Sequence, residues 1–72
     1  MPDTFPVEER LARNLERVRK VKSLTRAQLA DLSGVDPSTI YAIERRRYKD
    51  ARVSTVSALA EAMEVPLGTL LD

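Results

Sequence analysis

Residues 25 to 45, Thr-Arg-Ala-Gln-Leu-Ala-Asp-Leu-Ser-Gly-Val-Asp-Pro-Ser-Thr-Ile-Tyr-Ala-Ile-Glu-Arg, leave the backbone little choice, because two helix starts and one enforced helix end fall inside this stretch. Thr25 followed three positions later by Gln28 forms a capping box: the threonine oxygen accepts from the Gln28 amide and the glutamine side chain returns to the Thr25 amide. Leu24 and Leu29 flank that cap as a hydrophobic staple. Asp36 is an N-cap, and Pro37 stands at the first helical position, where its missing amide hydrogen costs nothing. Val35 and Ile40 repeat the staple. Between the two starts, Gly34 stands where the first helix must end in a left-handed conformation, open to glycine and strained for a residue with a Cβ. The first helix is expected to bury Leu29 and Leu32, with the small Ala30 on an adjoining face. The second is expected to bury Ile40 and Ile43, leaving Ser38, Thr39, Tyr41, Ala42 and Arg45 on the remaining surface. A large side chain at position 30 would push the pair apart, so Ala30, Gly34, Ile40 and Ile43 describe one packed corner.

The rest of the chain reads as helices that complete a core around that corner. Residues 1 to 5 contain Pro2 and no apolar period, and are expected to form a flexible N-terminal arm. The domain proper is expected over residues 6 to 72, with Pro6 opening the first helix. Val7, Leu11, Leu15, Val18 and Val21 recur at three- and four-residue spacing through about Lys20, while Arg10, Arg13, Arg17, Arg19 and Lys20 fall on other faces. The segment is too short for a coiled coil and lacks the aromatic anchors of a membrane-surface helix, so it needs a core to sit on. After Ile43 comes a polar run to Arg52 with no glycine or proline to stop the helix sharply. A fourth helix starts between Val53 and Thr55, with Val53, Val56, Leu59, Ala60 and Met63 on one side. Val65-Pro66 breaks it, and Pro66 opens a short final helix containing Leu67, Leu70 and Leu71. Five helices with no strand signal make a compact all-α domain.

Composition narrows the function classes. Seventy-two residues suffice for one small domain, which buries about 60 % of the surface its unfolded chain would expose. With no cysteine and no histidine, disulfides, thiol nucleophiles, imidazole bases and the usual zinc ligands are absent, so neither a metal site nor a cofactor is expected. No phosphate-cradling glycine loop is present, and an enzyme is not expected. Glu8-Glu9 reads as favourable charge at a helix N-terminus. No run approaches a membrane span, and the acidic N-terminus does not resemble a signal peptide, so a bacterial cytoplasmic address is expected. The formal net charge is only +1, but it is segregated. All twelve basic residues lie between Arg10 and Arg52 against five acids, Glu16, Asp31, Asp36, Glu44 and Asp50, leaving that segment at +7 between two flanks of −3. A polyanion responds to such a local field rather than to the total.

Leu29-Ala30, Gly34-Val35, Ile40 and Ile43-Glu44, followed by Leu59-Ala60-Glu61-Ala62-Met63-Glu64-Val65 and Leu70, resemble the helix-turn-helix domain of phage repressors and Cro, the Xre-like or lambda-repressor-like family, over roughly residues 8 to 71. The resemblance implies a sequence-specific regulator of transcription, with a repressor expected, that binds double-stranded DNA with helix 3 in the major groove. The alternative from another class is an antitoxin-like or adaptor module whose helical surface binds a protein partner.

Carried over by position, the base-reading surface falls on Pro37, Ser38, Thr39, Tyr41 and Ala42. Ser38 and Thr39 donate or accept, and Ala42 or the Thr39 methyl suits a thymine methyl, so no bidentate signature reveals the operator. Phosphate contacts are expected from Arg26, at the start of helix 2, and from Arg45, Arg46, Arg47 and Lys49, with Arg17, Lys20 and Lys22 as second-rank candidates. Glu44 matches the family's glutamate and is expected to make an internal hydrogen bond or ion pair. Two positions depart from the pattern: Arg26 stands where a glutamine is usual, and Arg46 where the glycine ending helix 3 is usual. The family's two-fold symmetric operators imply a homodimer, for which Leu67, Leu70 and Leu71 are the candidate contact, with closure of the monomer's own core as the other role for them.

Overall fold

The computed structural model describes residues 7–47 and 52–72, with side chains from Glu9 onward. The expected arm and Pro6 lie outside the described residues. Five helices follow one another: α1 Val7–Val21, α2 Arg26–Ser33, α3 Pro37–Glu44, α4 Val53–Ala62 and α5 Leu67–Leu71. The described residues contain no strand, and the fold is all-α as expected. Helix α1 packs against α3 and α5, α2 against α3 and α4, and α4 against α5. One core results, made by Leu11, Leu15 and Val18 of α1, Leu29 and Ala30, Ile40 and Ile43, Val56, Leu59, Ala60 and Met63, and Leu70 of α5.

The local signals act as the residue types require. Thr25 Oγ1 accepts from the Gln28 amide at 3.0 Å and the Thr25 amide donates to Gln28 Oε1 at 2.8 Å. Asp36 Oδ1 accepts from the Ser38 amide at 3.0 Å and Pro37 opens α3. The two hydrogen bonds from Ser38, by backbone and by hydroxyl, hold the Asp36 carboxyl below its ordinary range. Gly34 takes φ +78° and donates to the Ala30 carbonyl at 2.8 Å. The staple residues Leu24 and Val35 lie half-buried against the core. At the far end, Asn14 Nδ2 donates to the Leu70 carbonyl at 3.1 Å and Arg10 Nε to the Leu71 carbonyl at 3.3 Å, so α1 satisfies carbonyls left open at the end of α5.

Three apolar positions differ from expectation. Leu32 is 61 % exposed. The buried face of α2 is centred between Leu29 and Ala30, and at 3.6 residues per turn Leu32 lies roughly 110° from that centre. Val21 and Val53 are also exposed. They are the last residue of α1 and the first of α4, so the apolar period runs past the edge of the core at both places.

Three helices end in a left-handed residue that is not glycine. Ser23, Arg46 and Glu64 adopt φ of 59°, 60° and 61°. Each closes a Schellman motif: the amides of Ser23, Arg46 and Glu64 donate to Lys20, Ile43 and Glu61, and those of Leu24, Arg47 and Val65 donate to Arg19, Ala42 and Ala60. The left-handed conformation strains a residue with a Cβ, partly offset by the greater freedom glycine has when unfolded. Glu64 makes no ion pair among the described residues and lies on the loop between α4 and α5. Glu64→Gly is therefore expected to stabilise the fold by about 0.5–1 kcal/mol, raising Tm by roughly 3–6 °C in thermal unfolding followed by circular dichroism.

Candidate nucleic-acid interface

Helix α3 divides into two faces. Ile40 and Ile43 are buried, at 0 % and 2 % exposure, and anchor the helix by apolar contact alone. Pro37, Ser38 and Tyr41 are exposed, and Thr39 and Ala42 are half-buried. All five expected base-reading positions thus carry accessible surface on the side away from the core. The Ser38 hydroxyl already donates to Asp36 Oδ1 at 2.9 Å, so in this conformation it meets an outside partner as an acceptor. Thr39 keeps its hydroxyl for either role.

A buried ion cluster fixes the angle of this helix. Glu44, the last residue of α3, has a side chain only 1 % exposed. Its carboxylate accepts from Arg19 of α1 through Nε at 2.7 Å and Nη2 at 3.2 Å, and from Arg26 of α2 through Nε at 2.9 Å. Arg19 Nη1 also donates to the Leu24 carbonyl at 2.8 Å, in the turn before α2. Three helices converge on one carboxylate, in the internal pairing expected for Glu44. Arg19, expected on a face other than the apolar stripe, is nonetheless buried, at 6 % exposure. Its position four residues after Leu15, on the edge of the apolar stripe, was the available signal, and its partner stands 25 residues away. None of the buried side-chain nitrogens and oxygens among the described residues lacks a hydrogen-bond partner.

The arginines expected at phosphate form two groups. Arg26 is tied to Glu44 through Nε, which leaves the terminal nitrogens of its fork for another acceptor, and its side chain is 36 % exposed. Its guanidinium carbon lies 4.9 Å from the Tyr41 ring centroid, and that of Arg45 lies 5.8 Å from the same ring. Arg46 Nε approaches Glu9 Oε2 at 3.8 Å in a half-exposed pair, a geometry worth little in water. Arg47 is exposed. Lys49 lies outside the described residues. Of the second-rank group, Lys20 pairs with Glu16 at 3.1 Å, Arg17 donates to Asn14 Oδ1 at 3.0 Å, and Lys22 is exposed. Helix α3, the start of α2 and the turn after α3 therefore bring Arg26, Tyr41 and Arg45 together beside the polar face.

The three leucines of α5 separate. Leu70 is 0 % exposed within the single chain. It belongs to the protein's own core, the second of the two roles named for it above. Leu67 and Leu71 are half-buried against that core and keep some open surface.

Comparison with known proteins gives the family and the fold. The profile of a family described as helix-turn-helix matches residues 15–70. Control protein C.SmaI of Serratia marcescens is 32 % identical over 75 aligned positions, covering 99 % of this chain and 88 % of that protein. Among solved structures, the restriction-modification controller protein C.AhdI of Aeromonas hydrophila superposes with a TM-score of 0.82 at 27 % identity, over 88 % of this chain and 94 % of that one. The hypothetical transcription factor NHTF from Neisseria gives a TM-score of 0.86 at 28 % identity, over all of this chain and 86 % of that one.

Proposed function

The chain belongs to the helix-turn-helix family of DNA-binding transcription regulators, and from that premise we propose that it is a controller-type regulator that binds a two-fold symmetric operator as a homodimer and represses transcription from the overlapping promoter. The observation that carries the reading is the division of α3: two fully seated isoleucines on one side, and an accessible polar face flanked by arginines on the other. A rigidly seated helix with such a face suits the major groove, and the arginines around it suit the phosphates on either side. Likeness to two proteins named as controllers, one of them of a restriction-modification system, supports control of a neighbouring restriction and modification gene pair. The surface left on Leu67 and Leu71 offers an apolar contact to a second copy. The role is binding alone, without catalysis, and its setting is the bacterial cytoplasm. No helix among the described residues is long and apolar enough to cross a membrane.

Two substitutions separate base reading from phosphate contact. Thr39→Ala should lower the ratio of operator to scrambled-duplex affinity, by roughly fivefold or more if it removes one base interaction. Arg47→Ala should weaken binding to both duplexes by one common factor and reduce the slope of log affinity against log salt by about 0.9. Competition binding with the DNA upstream of the protein's own gene, against a scrambled duplex, reads both. An equal loss on the two duplexes for Thr39→Ala would remove Thr39 from the reading surface.

A further inference from the structure

Tyr41 stands at an expected base-reading position, but its surroundings give it other work. Its ring has two guanidinium carbons within about 6 Å of its centroid, one from the first residue of α2 and one from the residue just after α3. A cation over an aromatic face is attracted by the ring's quadrupole. The Arg26 guanidinium is held a second time, by its Nε bond to the buried Glu44 carboxylate. Arg45 makes no ion pair among the described residues, so the ring is what it rests on.

Long arginine side chains lose much rotamer freedom when they are fixed against a ligand, and groups already ordered in the free protein lose less on binding. The duplex presents one negative charge per about 1.7 Å of its axis, so two ordered cations around one ring suit two neighbouring phosphates.

We propose that Tyr41 is a positioning residue for phosphate contact rather than a base reader: its ring holds Arg26 and Arg45 as one clamp that grips the backbone beside the recognition helix. The inference rests on the DNA-binding reading and assigns Tyr41 a role within that site. The ring does the work and the hydroxyl does not.

The test compares Tyr41→Phe and Tyr41→Leu for affinity to a duplex selected by the wild-type protein and to its scrambled counterpart, over a series of salt concentrations. Tyr41→Phe keeps the ring and should match the wild type in affinity and salt slope. Tyr41→Leu keeps the bulk without the quadrupole. It should weaken both duplexes by the same factor, roughly three- to tenfold, and lower the slope by about 1 to 2, since each phosphate no longer neutralised takes away about 0.9. Arg26→Gln should lower the slope alone, and should add little when combined with Tyr41→Leu, because both remove the same clamp. Tyr41 lies 41 % exposed, so thermal melting of the two Tyr41 variants should stay close to wild type and serves as the folding control.

A loss by Tyr41→Leu confined to the selected duplex, a Phe variant as impaired as the Leu variant, or an unchanged slope would each overturn the clamp while leaving the DNA-binding reading intact. A folded wild-type protein that binds neither duplex overturns that reading itself.

Discussion

Replacing Glu44 by alanine should remove a large share of the stability of the fold, costing about 3–5 kcal/mol. A domain of this length is held by roughly 4–11 kcal/mol in all, so the variant should melt at least about 15 °C lower than wild type. The reason is the asymmetry between making and breaking a buried ion pair. With both partners present, the Coulombic gain and four hydrogen bonds roughly offset the desolvation of Glu44 and Arg19. With the carboxylate gone, the Arg19 guanidinium, whose side chain is 8 % exposed, retains only the Leu24 carbonyl as acceptor. Arg26→Ala should cost much less, because Arg26 is more open to water and Arg19 still neutralises Glu44. Urea unfolding of the single variants, with a variant replacing Arg19 by methionine and Glu44 by leucine together, completes the comparison. The double variant should recover most of the loss, since apolar residues of similar volume carry no stranded charge. A loss below about 1 kcal/mol for Glu44→Ala would mean that the carboxylate is solvated in solution, because exposed pairs contribute no more than that.

Leu70→Ala should cost about 3–4 kcal/mol, within the range measured for buried leucines in well-packed cores. Leu70 is fully enclosed by its own chain, and α5 is pinned there by Asn14 and Arg10, so the cavity cannot close by moving the helix without breaking those bonds. Because the packing that the truncation removes is intramolecular, the loss should be the same at low and high protein concentration. A destabilisation that grows with concentration would instead place Leu70 at the seam between two copies. Truncating the half-buried Leu67 or Leu71 should cost less in the monomer.

The sequence was most informative where one residue type has few conformational options. Gly34, the Thr25–Gln28 box and Asp36-Pro37 determined where α2 stops and where α2 and α3 begin, because each satisfies backbone groups that nothing else nearby reaches. Periodicity then selected the core residues in the helix interiors. It failed at helix ends and on α2, where Leu32 matched the spacing but a small residue, Ala30, had drawn the buried face round the helix. The end of α3 carried no recognisable signal, since arginine at position 46 supplies a conformation usually left to glycine. The burial of Arg19 was hidden for a different reason. A charge on an apolar stripe makes physical sense only with its partner, and Glu44 reaches it through the tertiary fold. For the interface, residue types and helix position were enough to name the polar face of α3, whereas the grouping of Arg26 and Arg45 around Tyr41 depends on how α2 crosses α3. That crossing is set by packing, which no local pattern spells out.

Helix α3 is proposed to read DNA sequence as part of a symmetric dimer, and selection of binding sites from a random duplex pool tests this most directly. The expected result is an enriched site with two-fold symmetry, half-sites about one helical turn apart, and a preference over scrambled duplex of at least about a thousandfold at physiological salt. A pool with no enriched sequence, or weak binding to every duplex that salt abolishes, would contradict it.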